Sequence, residues 1–169
     1  MSYRLDNIDW ENKIQVRKGS IGEKIVENYI EKKGYIVYKP STKEAHPFDM
    51  LCIKGKKEII IAEIKTKPKR KYYPDTGFNY QHYKDYLYIQ EKGLNVFIFF
   101  VDEELDAIYG NWLQTISKEK SIMHNGKTIK YPLIINNIIY FPVISMETII
   151  KLTEIEIATI KSLYSGKYE

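Results

Sequence analysis

Between residues 21 and 30 the apolar side chains Ile21, Ile25, Val26, Tyr29 and Ile30 recur at the spacing of one helical face. Ser20 followed by Glu23 matches a capping box, and Gly34 fits the position just past a helix end, so a helix is expected over about residues 19–33. Gly22 lies near the centre of that face, which predicts close packing of the helix on a sheet. The pattern then shortens to that of strands. Residues 35–38 read as one, ended by Pro40, and the runs 48–53 and 59–65 read as an antiparallel hairpin around Lys54-Gly55-Lys56-Lys57-Glu58. Residues 67–75, with Pro68 and Pro74, form a loop. Residues 78–92 have Tyr80, Tyr83 and Leu87 on one side of a helix that stops at Gly93, and 95–101 is a buried strand.

Beyond Glu104 the pattern is weaker. It suggests a strand over 107–116, a turn at His124-Asn125-Gly126, a hairpin over 131–143 around Asn136-Asn137, and one or two short helices over 146–164. The order helix, strand, strand, strand, helix, strand predicts an α/β or α+β sandwich, with helices covering a central mixed sheet.

Composition narrows this only a little. A chain of 169 residues, 44% apolar and 28% charged, suits one soluble globular domain that needs no staple. Cys52 is its single cysteine, which excludes an internal disulfide and a multi-cysteine zinc site. The longest apolar run, 96–101, has strand length, and residues 1–18 mix Arg4, Asp6, Asp9, Glu11 and Lys13 in a way no signal peptide does. The expectation is a cytoplasmic protein without a membrane segment. Charge adds more through its distribution than through its net value of +4. Lys65, Lys67, Lys69, Arg70 and Lys71 follow one another without an acid, preceded by Lys54, Lys56 and Lys57, while acids gather at 102–104 and at Glu154 and Glu156. A local positive field of this kind suits a polyanionic partner, and a merely solvated lysine-rich loop would look the same.

The chemistry sits in the hairpin. Glu63 and Lys65 are two apart and share a strand face, at the end of the otherwise apolar run Ile59-Ile60-Ile61. Burying such charges costs several kcal/mol unless they are partnered, so they need a reason. With the turn centred on Lys56, paired positions sum to 112, and Asp49 falls opposite Glu63. Two carboxylates so close repel unless a proton or cation lies between them. Hard oxygen ligands beside a lysine suit Mg²⁺ or Mn²⁺ better than zinc, and a slip of one residue would send the acids to opposite faces.

These residues carry a resemblance. Pro47-Phe48-Asp49, then Glu63-Ile64-Lys65 on a hairpin, after a helix bearing Glu23, is similar to the PD-(D/E)XK nuclease superfamily. The likeness covers about residues 19–101 and matches the superfamily's αβββαβ order, the restriction-endonuclease-like and Holliday-junction-resolvase-like core. Residues 105–169 would complete the same single domain with extra strands and a helix. Pro47 is separated from Asp49 by Phe48, a variation the superfamily tolerates. The resemblance implies a Mg²⁺-dependent nuclease, with Mn²⁺ as a substitute, acting on DNA. Asp49, Glu63 and the carbonyl of Ile64 would hold the metal, and Lys65 would orient the attacking water. Glu23 would anchor a water of the metal's shell or help hold a second ion, with a competing role as the capping partner of Ser20. Gln81 would face the site from the second helix.

Lys54, Lys56, Lys57, Lys67, Lys69, Arg70, Lys71 and Lys84 are candidate phosphate contacts, and Tyr72 and Tyr73 candidates for stacking on bases. His46 and His82 read as surface residues. Two alternatives remain: a catalytically inactive module on the same core that binds nucleic acid or protein, and a nuclease for RNA, because nothing in the sequence, which lacks a dedicated RNA-reading motif, separates DNA from RNA. Double-strand cutting by so small a nuclease would favour a homodimer.

Overall fold

The computed structural model describes residues 14–41 and 46–163. The apolar stripe forms helix α1 over Ile14–Lys32, with Val26 and Ile30 fully covered. It begins ahead of Gly19, and Ser20 is therefore inside it: its hydroxyl donates to the Val16 carbonyl at 3.1 Å. The capping box expected at Ser20 and Glu23 does not form, and Glu23 is left for other partners. Gly34 does end the helix, with φ at +88°, a conformation that costs glycine least.

The main sheet has strands β1 (Ile36–Tyr38), β2 (Met50–Lys54), β3 (Glu58–Thr66), β5 (Asn95–Asp102), β6 (Ala107–Trp112) and β11 (Glu147–Lys151), in the order β1-β2-β3-β5-β6-β11. Only β3 and β5 pair in parallel, joined through helix α2 (Tyr80–Glu91), so the sheet is mixed. The β2–β3 register runs from Met50↔Ala62 to Lys54↔Glu58, as the turn centred on Lys56 predicts. One face of the sheet, with Met50, Ile60, Ala62 and Ile64, is covered by α1 and by helix α4 (Glu154–Ser162). The other, with Ile61, Ile98 and Phe100, is covered by α2 and by Phe78, Ile139 and Phe141.

Three expectations are corrected. Phe78 belongs to a strand, β4 (Asp75–Asn79), inserted before α2; its five residues pair with β10 (Ile138–Pro142), more than fifty positions away, which no local pattern announces. The run 107–116 is strand only to Trp112, and Leu113–Ile116 is a helical turn, α3. Residues 146–163 hold the edge strand β11 before α4; Tyr164 lies outside the described residues, as do residues 1–13 of the segment read as unlike a signal peptide. The turn at Asn136-Asn137 joins β9 (Leu133–Ile135) to β10, and that at Asn125-Gly126 joins a hairpin of β7 (Lys120–His124) and β8 (Lys127–Tyr131).

Gly22 fixes α1 against the end of β3. A Cβ there would lie 1.8 Å from Thr66 Oγ1 and 2.9 Å from Thr66 Cβ, so a side chain requires Thr66 or the helix to shift. Gly22→Ala is expected to cost about 1–3 kcal/mol by overpacking, read from the denaturant midpoint. Removing the opposing hydroxyl with Thr66→Ala recovers part of that loss.

Candidate active site

The polar site forms where β2 and β3 part. Ile61, Glu63 and Lys65 point to the α2 side of the sheet, and β2 ends at Met50, leaving Asp49 one residue beyond the ladder. Asp49 uses its side chain where the strand would have used its backbone: Oδ2 accepts from Ile64 N–H at 2.7 Å. In return Glu63 Oε2 accepts from Asp49 N–H at 3.2 Å. A strand residue directs its N–H and C=O to one edge, so the Ile64 carbonyl opens on the same side as Asp49.

Glu63 is only 4% exposed. Its Oε1 accepts from Lys65 Nζ at 2.6 Å and from the Tyr86 hydroxyl of α2, which in turn accepts from Lys65 Nζ at 3.1 Å. This triangle holds the ammonium in one place, above the Phe78 ring. Burial and the Glu63 charge push the Tyr86 hydroxyl well above its usual range, so it stays a proton donor. Tyr86 is a site residue that the sequence analysis does not single out; its place three residues after Tyr83 on the apolar side of α2 is the available signal.

Burial, then the Glu63 charge, push the Asp49 carboxyl up to about 7, against the lowering by Ile64 N–H and Lys65. Glu23 is also raised, first by burial; Lys39, 3.7 Å from Glu23 Oε2, opposes this, and the Glu63 charge adds to it. Glu23, Asp49 and Glu63 therefore feel one another's charge. Among the described residues no three His, Cys, Asp or Glu side chains close into a ready-made metal cage. A Mg²⁺-type ion needs none, since it binds through one or two carboxylates, waters and substrate oxygens. Two mutually repelling carboxylates beside a backbone carbonyl fit such an ion, because a cation relieves the repulsion that, after burial, raises Asp49.

A pH dependence follows for the metal-free protein. Unfolded, Asp49 releases its proton near pH 3.9; folded, it holds it up to about 7. The folded state binds more protons across that window, so this group's stabilising contribution is full below about pH 4 and is lost as pH rises towards 7. Thermal melts of the metal-free protein should show that loss, and Mg²⁺ should raise the midpoint more at pH 8 than at pH 5.

The other predicted residues divide. Gln81 does not face Glu63: it lies about 140° round the helix from Tyr86, and its amide donates to Asp85 at 3.1 Å. Lys84 is about 160° from Tyr86, over the Tyr80 ring. His82, one turn before Tyr86 and 6.3 Å from it ring to ring, is the exposed α2 residue nearest that side. Lys54, Lys56 and Lys57 sit at the opposite end of β3, about 25 Å of extended chain from Lys65, so they do not share its surroundings. Within the basic loop, Arg70 is turned inward: Nε and Nη2 reach the buried carboxylate of Asp75 at 2.5 and 2.6 Å, between the rings of Tyr73 and Tyr140. Lys67 donates to the Gly77 carbonyl at 2.7 Å, and burial pushes its ammonium down. Lys71, Tyr72 and Tyr73 are exposed and Lys69 is half-buried.

No model of a known protein family matches the chain, and no curated protein matches it. Solved structures do. A nuclease from a fusselovirus superimposes with a TM-score of 0.50 at 13% identity, over 91% of this chain and 95% of that one. A Holliday junction resolvase from the hyperthermophilic archaeon Archaeoglobus fulgidus gives 0.48 at 10% identity, over 75% of this chain and 90% of that one. What the chain shares with the viral nuclease is the fold, a central mixed sheet flanked by helices. No helix among the described residues is long and apolar enough to cross a membrane.

Proposed function

We propose that this chain is a metal-dependent nuclease that hydrolyses phosphodiester bonds of DNA in the cytoplasm. Its core spans about residues 19–101 and is completed by the C-terminal third as one domain. The observation that carries this reading is the Asp49–Glu63–Lys65 constellation: two carboxylates cross-linked through backbone N–H groups, with an ammonium 2.6 Å from one of them. The nuclease likeness of the fold supports it.

Asp49, Glu63 and the Ile64 carbonyl would hold Mg²⁺, or Mn²⁺ in its place, and Glu23 would bind a water beyond them. The bound ion supplies an acidified water and neutralises charge on the phosphate. Lys65, fixed by Glu63 and Tyr86, would orient the water and meet the negative charge that develops on the phosphoryl oxygens. Tyr86 is a positioning residue for that ammonium. Lys69 and Lys71 remain the loop cations turned to the backbone of the substrate, and Tyr72 and Tyr73 its aromatic surface. Cutting both strands would take two copies, so the assembly proposed is a homodimer.

Incubation of supercoiled plasmid and of single-stranded DNA and RNA with Mg²⁺ or with EDTA tests this. Cleavage of DNA that stops with EDTA supports it. Binding without metal-dependent turnover assigns the chain to a binding module, and selective cleavage of RNA reassigns the substrate.

A further inference from the structure

The β7–β8 hairpin takes no part in the constellation above, yet it is tied to the basic loop that follows Lys65. A ring nitrogen of His124, at the end of β7, lies 2.9 Å from the Tyr72 carbonyl, and its ring is 6.1 Å from that of Tyr73. Loop and hairpin so joined border two adjoining open hollows, about 580 and 610 Å³, which share Tyr72, Tyr73, His124 and Asn125. Each has the volume of a site for a small planar ligand. Lysines rim both, Lys69 and Lys71 on the loop side, Lys127 and Lys130 on the hairpin side, and among the described residues no acid lines either.

Tyr72 is 72% exposed, with the Lys71 ammonium 5.4 Å from its ring centre. Tyr73 differs, being held from behind by the Arg70 guanidinium 4.0 Å from its ring centre. The groove thus offers one loose and one braced aromatic face inside a ring of cations.

We infer that the loop and the β7–β8 hairpin form a groove for an unpaired stretch of the nucleic acid. Bases would stack on Tyr72 and Tyr73, and the phosphates would meet the lysines of both walls. A base inside a duplex cannot offer its flat face to a side chain, whereas an unpaired one can, and stacking is tolerant of sequence. Lys69 is four residues from Lys65, so at most about 14 Å of chain separates groove from constellation, and one substrate can reach both. This rests on the nuclease reading and sharpens it: the substrate carries unpaired nucleotides beside the scissile bond.

The test measures binding in EDTA, which does not draw on the carboxylates. Fluorescein-labelled single-stranded and duplex DNA of one sequence are titrated into the wild type, Tyr72→Ala and Lys127→Glu/Lys130→Glu. Tyr72→Ala should weaken single-strand binding about tenfold and duplex binding less than twofold. The double charge reversal should lower the salt slope for the single strand by about 1.4, or 0.7 for each phosphate lost. Equal weakening of both forms by Tyr72→Ala, no weakening, or no binding of single strands by the wild type would overturn the groove. Selective loss without Mg²⁺-dependent cleavage would retire the nuclease and keep the groove. Cleavage without selective loss would do the reverse.

Discussion

Glu63→Gln should lower Mg²⁺-dependent DNA cleavage by about 10²- to 10³-fold, the size of effect seen when one electrostatic contact to a developing charge is removed. The substitution keeps the shape of the side chain and an acceptor for Tyr86. What it removes is the negative charge that fixes Lys65 Nζ at 2.6 Å and that would bind the metal with Asp49. Because the site is one unit, Lys65→Ala should lose a similar amount, and the double variant little more than either alone. Circular dichroism should show that all three fold. Single-turnover cleavage under equal Mg²⁺ is the measurement, and a variant as fast as the wild type would remove Glu63 from the chemistry.

Arg70→Ala should destabilise the protein by about 3–5 kcal/mol, lowering the melting midpoint on the order of 10 °C. Asp75 is 0% exposed and receives both guanidinium contacts together with the Tyr131 hydroxyl at 2.5 Å. Deleting the arginine leaves a buried carboxylate short of its countercharge, the costly way to break such a pair. Lys71→Ala, one residue on and exposed, should shift stability by less than about 0.5 kcal/mol. The two residues look alike in a basic run, and the melts separate them. If both variants melt with the wild type, Arg70 is a surface cation after all.

That contrast marks where the sequence was readable. The β2–β3 register followed from a two-residue period and a turn centred on Lys56, and one step beyond that ladder Asp49 N–H meets the Glu63 carboxylate. Gly34 and Asn136-Asn137 announced their turns because only a few residue types take positive φ cheaply. The start of α1 was misread because Ser20 and Glu23 imitate a cap, while the hydroxyl in fact turns back onto Val16. Strand β4 was invisible because Asp75-Thr76-Gly77-Phe78-Asn79 has no strand alternation and exists through pairing with β10. The partners of Arg70 and Tyr86 were not legible for a related reason. Whether a cation is spent on an internal carboxylate, or a tyrosine reaches a buried glutamate, depends on partners that only the tertiary fold supplies.

The nuclease reading requires Asp49 and Glu63 to share one divalent ion, and Mn²⁺ tests this most directly through its anomalous scattering in crystals of the wild type. The predicted result is one peak about 2.0–2.2 Å from an oxygen of each carboxylate, with the Ile64 carbonyl in the same shell. A peak bound elsewhere on the chain, or none at saturating Mn²⁺, would contradict it.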